Sequence, residues 1–139
     1  MKIKIIVKDK FEIASVVIKD SCCVESFFAD LDKNYNSNAA DLYAMMAHIA
    51  TSGFDNLPPK WIHEIDKVEK IYELIKGDLR IPYFRGSNDR IIICGPGFVK
   101  KTQKTEASTK KAMKKLRDEY RTNEATGKLQ VVAIDSNGS

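Results

Sequence analysis

An α+β fold is predicted for this 139-residue chain: an antiparallel β-meander, an N-terminal helical hairpin packed on one of its faces, and a C-terminal helix. Three observations predict it. The apolar runs Ile71–Ile75, Leu79–Phe84 and Ile91–Cys94 are separated by Gly77-Asp78 and by Arg85-Gly86-Ser87-Asn88-Asp89, both turn sequences between strand-favouring residues. Between Ser21 and Gly53, apolar side chains recur at helical spacing with one polar interruption, and after Thr105 the same period returns among lysines.

Taken in order, Ile3–Val7 and Phe11–Ile18 are rich in β-branched residues and divided by Lys8-Asp9-Lys10, which predicts two strands. Ser21 is the expected N-cap of a helix carrying Val24, Phe27, Phe28 and Leu31 at i, i+3, i+4 and i+7. The polar run Asn34–Asn38 suits a turn. Asn38 then caps a second helix, with Asp41 in its first turn, a stripe of Leu42, Met46 and Ile49, and Gly53 as its stop. Stripes of this kind are usually core, and His48 beside it is read as a satisfied or surface histidine, not a catalytic one. Trp61 has two readings, a core plug beneath the rim of the sheet or a stacking platform for a base.

Gly95-Pro96-Gly97 is expected to break the third meander strand, since Pro has no N–H to donate, and to deliver Phe98-Val99 followed by Lys100, Lys101, Gln103 and Lys104. Thr105 is the expected N-cap of the last helix, Glu106 sits at its positive end, and Ala112, Met113, Leu116 and Tyr120 form its apolar seam. Residues 1–121 are predicted to form one domain. Residues 122–139 are read as a C-terminal extension, either a short strand over Leu129–Ile134 or a disordered tail.

Composition excludes several classes. At 43% hydrophobic the chain can bury a single core, and no apolar run approaches the roughly 20 residues of a membrane span. The N-terminal MKIKIIVKDKFE has no apolar segment ending in a small-residue cleavage site, so the expected location is the cytoplasm with no membrane partner. Cys22, Cys23 and Cys94 make neither a disulfide framework nor a CxxC knuckle, and with only His48 and His63 to add, no metal and no cofactor are expected. The charge is unevenly spread. Residues 1–60 carry 7 basic and 8 acidic side chains, residues 61–99 carry 6 of each, and residues 100–139 carry 10 and 5. A basic concentration of this kind points to a polyanionic partner.

The order YEL, a basic residue, a short turn, an Arg-bearing strand with Tyr-Phe, a third strand and then GFVKKTQKT at Gly97–Thr105 resembles the HigB branch of the RelE/ParE toxin superfamily, over roughly Phe11 to Tyr120. The resemblance implies a RelE-like architecture and the toxin half of a type II toxin–antitoxin pair that cuts messenger RNA, usually on the ribosome. It also implies a cognate antitoxin, of the helix-turn-helix HigA-like kind. Many relatives place a His just before GFVKK, where this chain has Gly95-Pro96; if that His is an acid in them, its role passes here to a lysine or to Tyr83, or the chain is a weaker nuclease than its kin.

Metal-free RNA cleavage needs a base for the ribose 2′-OH, donors for the charge developing on phosphorus, and an acid for the 5′-oxygen. Arg80 is assigned to the scissile phosphate, because a planar guanidinium grips two oxygens and stays charged. Lys101 or Lys104 is the candidate for proton transfer, since a lysine crowded by cations loses proton affinity. Lys76 and Lys67 complete the charge stabilisation, and Tyr83 stacks or donates. Lys100, Gln103, Lys110, Lys111 and Lys114 are expected to extend the RNA-binding surface, although a basic helix face is as readily a solvated one. Two other functions fit the same sequence: a ParE-like toxin that inhibits DNA gyrase, and a non-catalytic RNA-binding module.

Overall fold

Several strands of this chain are continuously apolar because helices cover the sheet on both faces. The computed structural model describes residues 1–86, 91–100 and 106–134. Its strands are β1 Lys2–Lys8, β2 Glu12–Ile18, β3 Ser21–Cys22, β4 Ile62–Asp66, β5 Ile71–Lys76, β6 Leu79–Arg85, β7 Ile91–Cys94, β8 Phe98–Val99 and β9 Gln130–Val132. The helices are α1 Cys23–Ala29, α2 Asn36–Ser52 and α3 Glu106–Ala125, with short 3-10 turns at Lys33–Tyr35 and Pro59–Trp61.

The predicted RelE-like layout, a short antiparallel meander carrying a helical hairpin, is corrected by this arrangement. The strands form one nine-stranded mixed sheet in the order β4-β5-β6-β7-β2-β1-β9, with β3 beside β2 and β8 beside β6. Two of its pairings are parallel: β2 with β7, where Ile13 faces Ile92, and β1 with β9, where Ile3 faces Val131. The expected hairpin is also uneven. α1 has only seven residues, Ser21 belongs to β3 and caps nothing, and Leu31 lies beyond the helix. α2 begins at Asn36 rather than after Asn38, while Gly53 ends it as expected, at φ 75° with its N–H donating to Ile49 O at 2.7 Å.

Strand alternation sorts the side chains into two cores. Ile13, Leu74, Leu79, Ile81, Tyr83, Ile92 and Cys94 pack against Val24 of α1 and Leu42, Met45, Met46 and Ile49 of α2. The intervening residues Ala14, Val16, Ile71, Phe84 and Ile93 pack against Met113 and Tyr120 of α3. Burial raises the Cys94 thiol to about 12, as suits a core residue rather than a reactive one.

The Gly95-Pro96-Gly97 stretch shifts the ladder without ending it. Along β6, Tyr83 pairs with Cys94 and Phe84 with Ile93; beyond the interruption Arg80 pairs with Phe98 and Leu79 with Val99, a slip of one residue. The glycines are needed for space rather than for unusual backbone angles. A Cβ on Gly95 would stand 2.5 Å from Met113 Sδ, and one on Gly97 would stand 2.5 Å from the Phe27 ring, so the bulge passes tightly between α3 and α1.

The turn between β4 and β5 ties α3 to the sheet. Asp66 Oδ1 accepts from the backbone N–H groups of Val68 and Glu69, both at 2.9 Å, and Lys110 Nζ lies 3.4 Å from its other oxygen. Its pKa is lowered, first by the Glu69 N–H and further by Lys110. The Glu69 carboxyl is lowered in turn by the Arg117 guanidinium and by Lys114. A carboxylate whose folded pKa lies below its unfolded one stabilises the fold fully above the ordinary carboxylate range, about 4, and loses that contribution as pH falls through the lowered value. The melting temperature is therefore expected to drop as pH descends below that range. Asp66→Asn combined with Glu69→Gln should start lower at neutral pH and show a flatter acid limb; an unchanged acid limb in a scanning-calorimetry series would count against these two carboxylates.

Candidate active site

Three adjacent strands set a His, a Glu and an Arg side by side on the α3 face. In the β4–β5 register His63 lies directly opposite Glu73, and in the β5–β6 register Arg80 faces Ile75, one diagonal step from Glu73. His63 Nδ1 lies 3.1 Å from Glu73 Oε1, and Arg80 Nε lies 3.7 Å from the same oxygen. Glu73 is buried, its side chain 7% exposed, while that of His63 is 42% exposed. A buried carboxyl group therefore sits beneath an accessible imidazole and beside a guanidinium.

Each group is held in place. Arg80 Nη1 donates to Gly77 O at 2.7 Å and to Leu79 O at 2.9 Å, so the Gly77-Asp78 turn anchors it, and its buried Nε has no hydrogen-bond partner among the described residues. The Nδ1–Glu73 contact orients the His63 ring and turns Nε2 toward α3. Nε2 lies 3.5 Å from Glu106 Oε1, the first residue of α3. Glu73 and Glu106 thus flank opposite nitrogens of one ring and do not converge. Among the described residues no group of three or more His, Cys, Asp or Glu is arranged to hold a metal.

The expected catalytic set is divided by the sheet. Arg80 stands at the centre of the site. Lys76 points to the opposite face, where its Nζ lies 3.4 Å from Asp41 Oδ2 of α2, because its place in β5 is an odd number of steps from Glu73. Tyr83 is also on that face and 2% exposed, its ring 5.5 Å from Tyr72 and 5.7 Å from Phe54. Burial raises the Tyr83 hydroxyl far above its usual range. Lys76 and Tyr83 are therefore corrected out of the site, the first by strand alternation and the second by burial.

The surrounding cations vary. Lys100 is exposed at the end of β8, and its backbone N–H donates to Asp78 O at 2.7 Å, which brings it beside the turn that anchors Arg80. Lys67 is exposed in the β4–β5 turn, and Lys111 is exposed on α3. Lys110 and Lys114 are engaged with Asp66 and Glu69, at 3.4 and 3.6 Å, so both lend α3 a hold on the sheet instead of standing free for RNA. Lys101, Gln103 and Lys104, and the cap at Thr105, lie outside the described residues. Trp61 is half-buried, its ring 5.6 Å from that of His48 and packed against the α2 core, which favours the plug over the platform.

His63 and Glu73 carry no motif that marks them in the sequence. The signal that finds them is a hairpin turn at Lys67–Lys70, where Lys70 adopts φ 57°; once that turn is placed, residue 63 falls opposite 73. No family model matches the chain, and comparison with curated proteins finds no match. Among the described residues no helix is long and apolar enough to cross a membrane.

Proposed function

We propose that the chain is a HigB-like toxin, an endoribonuclease that cuts messenger RNA without a metal during translation and is held in check by a cognate antitoxin. The observation that carries the reading is the shared carboxylate: Glu73 Oε1 lies 3.1 Å from the His63 ring and 3.7 Å from Arg80. Support also comes from GFVKKTQKT at Gly97–Thr105, which resembles the toxins' loop and begins beside the same turn.

The chemistry follows from those positions. His63, its ring oriented by the Nδ1–Glu73 contact, accepts the proton of the ribose 2′-OH at Nε2 as substrate displaces the exposed Glu106 side chain from that nitrogen. The 2′-oxygen attacks phosphorus, Arg80 binds the non-bridging oxygens as charge builds on them, and the 5′-oxygen leaves with a proton from Lys101, Lys104 or the imidazolium. The products are a 2′,3′-cyclic phosphate and a 5′-hydroxyl.

Purified protein added to translating ribosomes tests this. Cuts ending in 2′,3′-cyclic phosphate, lost in Arg80→Ala assayed at a temperature where that variant is still folded, are the expected result. An absence of cuts overturns the reading; supercoiling inhibition in its place would indicate a gyrase poison, and RNA retention alone a binding module.

A further inference from the structure

A second concave site lies between α3 and the far ends of β5 and β6, apart from the His63–Glu73–Arg80 group. Its volume is about 560 Å³, and among the described residues lining it four are cations, Lys70, Arg85, Arg117 and Arg121, against one carboxylate, Glu69. That carboxylate is already engaged. Arg117 donates through Nη1 to Glu69 O and through Nη2 to Glu69 Oε2 at 2.5 Å, its side chain is 6% exposed, and its buried Nε has no hydrogen-bond partner among the described residues. Arg85 is exposed, and its guanidinium carbon lies 4.3 Å from the centre of the Phe54 ring. Arg121 and Lys70 are exposed.

We propose that this basin seats one nucleotide of a single-stranded RNA, with its phosphate among Arg85, Arg121 and Lys70 and its base against Tyr72. Three properties point to that ligand. The net charge of the lining is positive after Glu69 is counted, which selects an anion. The volume falls within the roughly 300–1,000 Å³ of small-ligand sites and exceeds what a lone phosphate fills. Half-buried Tyr72 contributes aromatic surface to the wall, and a concave basin of this size admits an unstacked base rather than a duplex. Arg117 lies eleven residues along α3 from Glu106, about 16 Å at 1.5 Å per residue, so one strand can occupy both sites. The identification of the strand as the one being cut rests on the proposed function; the binding itself does not.

Arg117 is locked into the fold, so the test uses the exposed cations. A labelled single-stranded 2′-O-methyl oligoribonucleotide, which cannot be cleaved, is titrated against the parental chain, Arg121→Glu, Lys70→Glu and, as a charge-matched control elsewhere, Lys10→Glu. The two basin variants are expected to weaken binding on the order of tenfold each and to lower the slope of log affinity against log salt by about one per lost contact. Lys10→Glu should change neither. Parental affinity and slope in Arg121→Glu, equal damage from Lys10→Glu, or adenosine monophosphate binding as tightly as the oligomer would each overturn the proposal. If no RNA is ever cut while the basin variants still lose affinity, the endonuclease reading fails and this one stands; if RNA is cut while those variants bind as the parent does, the basin fails and the endonuclease stands.

Discussion

His63→Ala is expected to slow RNA cleavage by on the order of 10²–10⁴, the usual contribution of a positioned general base. The variant should remain folded, because the imidazole is half-exposed and its removal leaves Glu73 with Arg80 3.7 Å away. Rates are to be measured on saturating messenger RNA in a translation extract, beside Arg80→Ala, which removes a donor from the developing phosphorane and should cost about 10²–10³. Because the two side chains serve one transition state, the double variant should fall little below the weaker single one. Parental rates in His63→Ala would remove the imidazole from the mechanism and return proton transfer to the lysines after Val99.

The largest expected stability effect is at the centre of the core beneath α3. Phe84→Ala should lower the unfolding free energy by about 3–5 kcal/mol, from the lost transfer energy of the ring and the cavity it leaves. Phe84 is 1% exposed in β6, packs among Ile71, Ile93 and Met113, and meets the Tyr120 ring edge-on at 5.7 Å. Its neighbours Ile71, Ile93, Met113 and Tyr120 are themselves buried to 2% exposure or less, so little can relax into the void. Urea titration should show a lower midpoint with an unchanged slope. Val68→Ala, at a position 86% exposed, should stay within about 0.5 kcal/mol of the parent. A Phe84→Ala loss below about 1 kcal/mol would mean that the site collapses around the gap.

Local pattern made much of the sheet legible, and remote pairing did not. Gly77-Asp78 and the spacing of the runs around it led directly to the β5–β6 hairpin, where Leu74 faces Ile81. The parallel partnership of Ile13 with Ile92 leaves no such mark, because nothing local to residues 12–15 encodes a neighbour near residue 92. The same limit explains the site. Arg80 announced itself by its chemistry, but the strand alternation that sends Lys76 toward Asp41 and Glu73 toward His63 depends on registers across two hairpins. A one-residue change of register would have exchanged the two. Tyr83 misled for a related reason: an aromatic in a strand reads alike whether it lines a cleft or fills a core, and here two other rings enclose it.

The parallel joint between β2 and β7 also governs how the chain is born. Ile13 must wait for Ile92, 79 residues later, before the middle of the sheet can close. At translation rates of about 5–20 residues per second that interval is roughly 4–16 s. Throughout it the β1–β2 ribbon presents both margins to solvent or to any chaperone near the exit tunnel, since β9, the partner of β1, is made later still. Slowing elongation between codons 20 and 90 should therefore lower the soluble yield without altering a single side chain.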